Sequence, residues 1–387
     1  MPERSTSPCC TVASPVEACG PGRGSLRCGD VRPGTGRFAQ LGFALFVGLA
    51  LGLFFPPASS LAQTPSEPDR FVSFYFENDT FLDTDQSYTN GARVSWATRL
   101  EPDADRWYLP SDRLERRFRR DCDFDPTQCW EWWAGWQMGQ SMYTPQDLTD
   151  PEIIDDDRPY GGWLYAGPTF TASRPGQHTQ KASEHSLQLL VGVLGAPSLA
   201  AETQTFVHEH IATGAAEPMG WDHQVATEPT LNLLYSGRQR QVEAFRGGGK
   251  SRVLDVIGEW TVAAGNVFTY AGAGGTVRLG WNLGEDFGAS RVEPVIAMAG
   301  RQHTREAYMF GRIGARYTLH NAFLDGGWLR RSPHTVEGEP VVADLEVGAT
   351  LRIRRIVGSV RWVRRTPEFT TRLIYQEYGS ISLTWLR

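Results

Sequence analysis

The sequence predicts an all-β fold: a twelve-stranded antiparallel transmembrane β-barrel with a short helix on an extracellular loop. Three observations carry the prediction: an export signal, about twelve strand-like segments after it, and many aromatic residues near the segment ends. The 387 residues are 41% hydrophobic and 21% charged, ordinary figures for a soluble protein. They do not exclude a membrane barrel, because lipid-facing and lumen-facing side chains alternate along each strand and no stretch then reads as a spanning helix.

The export signal comes first. Residues 41–55 read LGFALFVGLALGLFF, with Arg37 before them and Pro56-Pro57-Ala58-Ser59-Ser60-Leu61-Ala62-Gln63 after. A run of about fifteen residues falls short of the roughly 20 that a spanning helix needs. With small residues at the far end it reads as a signal peptide cleaved after Ala62. Residues 1–36 are rich in Pro, Gly, Ser and Cys and far longer than an ordinary n-region, which points to a start placed too early. The expected organisation is a leader over 1–62, a linker over 63–70 and one barrel over 71–387. Four of the six cysteines fall in the leader. Cys122 and Cys129 remain, seven apart in a polar loop without further Cys or His, and in an oxidising compartment they are expected to form a loop disulfide.

Strand-like segments then follow near 71–77, 88–98, 133–142, 160–173, 185–195, 230–235, 252–262, 267–279, 306–319, 343–353, 356–363 and 377–387. Residues 71–76 and 88–98 alternate with period two, and the closing strand alternates small or polar with apolar residues. Many segments run about nine to twelve residues, the length of a tilted membrane-spanning strand. An even count returns both chain ends to the periplasmic side. Arg354-Arg355 marks a tight periplasmic link, while 146–159 and 198–228 are long and extracellular by parity; 101–131 is long yet periplasmic. Trp130, Trp132, Trp133, Trp136, Tyr160, Trp163 and Tyr165 are placed as aromatic girdles would be. The stretch 199–212 (LAAETQTFVHEHIA) reads as a loop helix, with Ser198 as N-cap, Glu202 in the first turns and Gly214 at its end. The closing strand ends two residues past Trp385, whereas outer-membrane barrels usually finish on Phe or Trp; the barrel-assembly machinery is nonetheless an expected partner. A net charge of −6 argues against nucleic acid.

Polar residues interrupt this alternation at one end. Asn78, Asp79 and Thr89 flank the first hairpin's tip, and a converging amide, carboxylate and hydroxyl can hold a cation or a water, although Asp79 and Asn90 are also ordinary turn formers. On the loop helix Gln204 and His208 are four apart and share a face, while His210 points away. An imidazole is the side chain that exchanges protons near neutral pH. Around them lie Tyr143-Thr144-Pro145, the block from Asp155 to Trp163 (DDDRPYGGW), Gly220-Trp221-Asp222-His223-Gln224 and Glu228-Pro229. No Gly-x-Ser-x-Gly elbow is present, so water attack fits better than an acyl-enzyme.

The ordered series FENDTFLDTDQSYTNGARVSW, YTPQDL, DDRPYGGWLY, GVLGAPSLAAETQTFVH, GWDHQ, EPTLNLLY and EFTTRLIYQEYGSISLTW resembles the lipid A 3'-O-deacylase family of the LpxR type over roughly residues 70–387. The resemblance implies a twelve-stranded barrel in the outer membrane of a Gram-negative bacterium. It also implies calcium-dependent hydrolysis of the ester carrying the 3'-linked acyloxyacyl group of lipid A in lipopolysaccharide. Carried over by position, the catalytic set is Asn78, Thr89, Gln204 and His208, with Asp79 as metal ligand. The family's basic residue after the Tyr-x-Pro motif is missing from Gln146-Asp147-Leu148-Thr149-Asp150, so substrate binding is assigned to Arg158 for phosphate and to Tyr143. A non-enzymatic porin or structural barrel, and a phospholipase acting on glycerophospholipids, are the rival expectations.

Overall fold

The protein is described from a computed structural model over residues 69–78, 90–100, 130–176, 181–210, 216–248, 251–288 and 304–387. Its strands are β1 (Arg70–Asn78), β2 (Asn90–Leu100), β3 (Glu131–Tyr143), β4 (Gly161–Arg174), β5 (Ser183–Leu194) and β6 (Glu228–Arg246). They continue as β7 (Ser251–Gly265), β8 (Phe268–Trp281), β9 (Arg305–Asn321), β10 (Val341–Ile353), β11 (Ile356–Arg365) and β12 (Gln376–Leu386). Each strand pairs antiparallel with its neighbours in the chain, and β1 pairs with β12 to close the barrel. At the seam Phe71 lies opposite Leu386, so the first strand begins where the last one ends. Among the described residues, α1 (Ala200–His210), between β5 and β6, lies against the outer wall, and α2 (Ala322–Asp325), between β9 and β10, packs Phe323 into the lumen mouth.

Alternation sets the two faces. On β1, Phe71, Ser73, Tyr75 and Glu77 are buried and point into the lumen, whereas Phe74 and Phe76 are exposed. The outward set elsewhere includes Trp96, Met138, Val191, Leu233, Ile313, Leu345 and Leu383, all exposed and apolar. An apolar outer wall around a polar interior is the arrangement of a barrel in lipid. One aromatic row follows the hydrogen-bonded register from Trp385 through Val72 to Trp96 and Trp136, near the periplasmic end. Trp133, Trp163 and Tyr165, expected in a girdle, instead face the lumen and are buried. They occupy the inward parity of their strands, and proximity to a strand end does not reveal parity.

The lumen is cross-braced by ion pairs at three levels. Near the extracellular mouth Arg365 meets Asp344 at 2.7 Å. Midway, Arg312 bridges Glu259 and Glu346, and Arg361 joins Glu346 at 3.2 Å. Toward the periplasm Arg278 binds Asp255 at 2.6 Å and Asp286 at 2.8 Å, with Arg240 also on Asp255. A cavity of about 80 Å³ lies between these levels, lined in part by Arg238, Glu259, Arg312 and Glu346.

Elements differ from expectation in two places. β6 continues eleven residues past Tyr235 to Arg246, because its lower half (SGRQRQVEAFR) is held by pairing with β7 rather than by an apolar face. Ser198 does not cap α1; it closes a 3-10 turn, Ala196–Ser198, and the helix is entered through Leu199 at a left-handed φ of 59°. The link at Arg354-Arg355 is as tight as expected, with Arg354 at φ 55°. The leader, Gly214 and both Cys122 and Cys129 lie outside the described residues.

Candidate active site

The extracellular rim carries the candidate groups on its outer wall. Asn78 ends β1 two residues past the outward-facing Phe76, so it points outward; yet it is only 6% exposed. The register places Asn90 beside it, then Met142 of β3, then Gly162 of β4. Met142 and Gly162 are outward positions that are nevertheless buried, because α1 lies over them. A Cβ on Gly162 would stand 2.1 Å from Ser198 Oγ and 2.4 Å from Ala200 Cβ, so the glycine is the seat on which the helix rests. One row lower, Gln140 reaches up from the outer face of β3 and donates its Nε2 to the Ser198 carbonyl at 2.7 Å. Two strand spacings, about 10 Å, separate Asn78 from the wall beneath the helix. The helix and the end of β1 therefore flank one stretch of outer wall at the level of the rim.

Ala200, Gln204 and His208 fall on one face of α1. Gln204 is 1% exposed; its Oε1 accepts the Trp221 indole N–H at 2.9 Å, and its Nε2 finds no partner among the described residues. His208 is half-buried, and its Nδ1 lies 2.7 Å from the Ala216 carbonyl oxygen. A carbonyl only accepts, so Nδ1 carries the proton and Nε2 holds the lone pair. His210 is exposed and stacks on Phe206, as its position on the far side of the helix demands. Asp79 and Thr89 lie outside the described residues. Among the described residues no group of three or more His, Cys, Asp and Glu gathers as metal ligands. Asn78 supplies one oxygen donor at the rim, the chemistry a hard cation requires.

The two residues expected to bind substrate sit elsewhere. Arg158 is 1% exposed, bonded to Glu368 at 3.0 Å and stacked over Tyr143 and Phe369. Tyr143 occupies an inward position on β3 and packs its ring 4.1 Å from that of Phe323. Both belong to the lumen mouth rather than to the outer wall, which removes Arg158 as a surface contact for phosphate. Burial alone raises the Glu368 carboxyl, but the guanidinium groups of Arg365, Arg158 and Arg316 outweigh it and hold it down at about 2. Arg158 and Glu368 are 210 residues apart, a pairing that no local pattern announces. Trp221 and Gly162 lie in the GWDH and PYGG blocks that stand out in the sequence, whereas no sequence signal points to Gln140. Burial pushes the Tyr160 hydroxyl up to about 12; its O–H donates to the Leu148 carbonyl at 3.1 Å and its ring braces Trp221.

A closed twelve-stranded barrel with an apolar belt outside and a charged interior defines an outer-membrane β-barrel protein, here with a polar site on its outer rim. Residues 45–386 match the family described as outer membrane protein LpxR, and the chain belongs to that family. Among solved structures, LpxR from Salmonella typhimurium is similar at 18% identity and a TM-score of 0.63, over 82% of this chain and 100% of that one. That likeness shows a shared fold. The β domain of the Bordetella autotransporter BrkA aligns at 9% identity and a TM-score of 0.38, over 83% of this chain and 99% of that one. No curated protein matches the chain.

Proposed function

We propose that the protein is a lipid A deacylase that hydrolyses the ester carrying the 3'-linked acyloxyacyl group, by attack of a water activated by His208. The supporting observation is the seating of α1 against the outer wall at the rim, with Gln204 and His208 on the face that also carries Ala200 onto Gly162. Lipid A presents its acyl esters at the headgroup boundary, the depth of a rim site, so substrate enters sideways from the membrane and need not be extracted.

His208 Nε2 takes a proton from the attacking water, while the Ala216 carbonyl holds Nδ1–H and stabilises the imidazolium. The Gln204 amide N–H donates to the oxygen on which charge develops as the carbonyl becomes tetrahedral. The C–O bond then breaks, and His208 returns its proton to the departing sugar oxygen. Thr89 orients a water or a ligand. Calcium, held by Asp79 with the Asn78 amide oxygen, supplies Lewis-acid polarisation of the ester carbonyl when bound.

Purified protein incubated with lipid A and, separately, with glycerophospholipid, each with calcium and with chelator, tests this by the mass of the acid released. Release of the acyloxyacyl acid from lipid A in calcium alone is the expected result. Release from glycerophospholipid alone would make it a phospholipase. The three levels of lumenal ion pairs weigh against an open channel; steady conductance with no acid released would favour a porin.

A further inference from the structure

We propose that Trp221 is a positioning residue for this hydrolysis: its indole N–H fixes which end of the Gln204 amide faces the substrate. The inference rests on the hydrolase reading above and deepens it.

The two ends of a glutamine amide have nearly the same shape but opposite hydrogen-bonding character. An indole nitrogen only donates, so the 2.9 Å contact from Trp221 Nε1 admits Oε1 and rejects Nε2. With the oxygen held, Nε2 is turned away from Trp221. It is buried and meets no acceptor among the described residues. Buried donors without partners are rare in folded proteins, and one kept on the face that bears the general base awaits an acceptor from a ligand. Gln204 precedes His208 by four residues, about 6 Å along the helix axis. An ester carbonyl and its attacking water fit between two groups so spaced.

Trp221 is itself held on several sides. Its ring packs 5.0 Å from that of Tyr160 and joins Met142, Leu148 and Ala200 in one buried cluster. The residue before it must be small, since a Cβ at Gly220 would stand 2.5 Å from the Tyr160 ring. Gln224 Nε2 donates to the Trp221 carbonyl at 3.0 Å and closes the 3-10 turn Trp221–His223 around it. A side chain this constrained is suited to imposing an orientation on its neighbour.

A double-mutant cycle tests the assignment. Trp221→Phe keeps an aromatic ring but lacks the N–H; Gln204→Ala removes the amide; the third variant carries both. Initial rates of acid release from lipid A micelles are read by mass spectrometry, and folding is read by the heat-dependent gel shift of intact barrels. Trp221→Phe is expected to lower kcat about 10-fold with KM within about twofold, and Gln204→Ala to lower kcat about 100-fold. The double variant is expected to match Gln204→Ala, because orientation has no meaning once the amide is gone. Wild-type kcat in Trp221→Phe, or multiplied losses in the double variant, would overturn the positioning role and leave the hydrolase reading standing. A wild-type protein that releases no acid would take both down. Should Trp221→Phe fail to fold, Trp221→Leu, which also carries no donor, runs the same cycle with the same criteria.

Discussion

Placing one methyl group at Gly162 tests whether α1 works from the outer wall. A Cβ there stands 2.4 Å from Ala200 Cβ and 2.1 Å from Ser198 Oγ, where ordinary contact begins at 3.4 Å. In Gly162→Ala the first turn of the helix must therefore lift by about 1 Å. Helices move as rigid bodies over eight residues, so His208 is carried with it. A displacement of that size at a reacting group costs on the order of 100-fold in rate. Strands tolerate alanine at least as well as glycine, so barrel stability is expected to change little. Gly358 has nothing within 4 Å of its hypothetical Cβ, and Gly358→Ala serves as the control that keeps wild-type turnover. The assay is the initial rate of acid release from lipid A micelles, with the heat-dependent gel shift confirming closed barrels. Unchanged turnover in Gly162→Ala would refute the claim that the helix acts from this seat.

Three further outcomes are expected. His208→Ala abolishes turnover while the barrel stays closed; residual activity above one-hundredth of wild type would remove His208 as the base, since general-base contributions run to about 10²–10⁴-fold. Chelation stops acid release and added calcium restores it, whereas magnesium, which demands a tighter octahedral shell, restores it poorly; equal rescue by both ions contradicts a calcium site. The Glu368 carboxyl is lowered from its usual 4.5 to about 2. Its contribution to stability is therefore complete above about 4.5 and fades as pH falls toward 2. Glu368→Ala leaves the Arg158 guanidinium buried without its 3.0 Å partner and is expected to lower the unfolding free energy in urea by about 3–5 kcal/mol; no change would show that Arg158 finds another counter-charge.

The sequence alone determined the barrel. Twelve strand-like segments of membrane-spanning length were legible, with period-two alternation clear in the first two and the last, because a wall with lipid on one side and polar side chains on the other gives alternate residues different surroundings. It also marked the helix on the long loop, through the acidic Glu202 in its first turn, and it put Gln204 and His208 on one side by spacing alone. Closure and contact were settled only in three dimensions. That Arg158 and Tyr143 turn inward depends on strand parity and on Glu368, 210 residues away. That Trp221 turns the Gln204 amide depends on a 3-10 turn meeting a helix across 17 residues. That Gly162 seats the helix depends on which face of β4 it occupies, and its sequence neighbour Gly161 occupies the other, beside Phe323. Local pattern records the solvent that each residue meets; which distant group shares that environment is fixed only when the sheet closes.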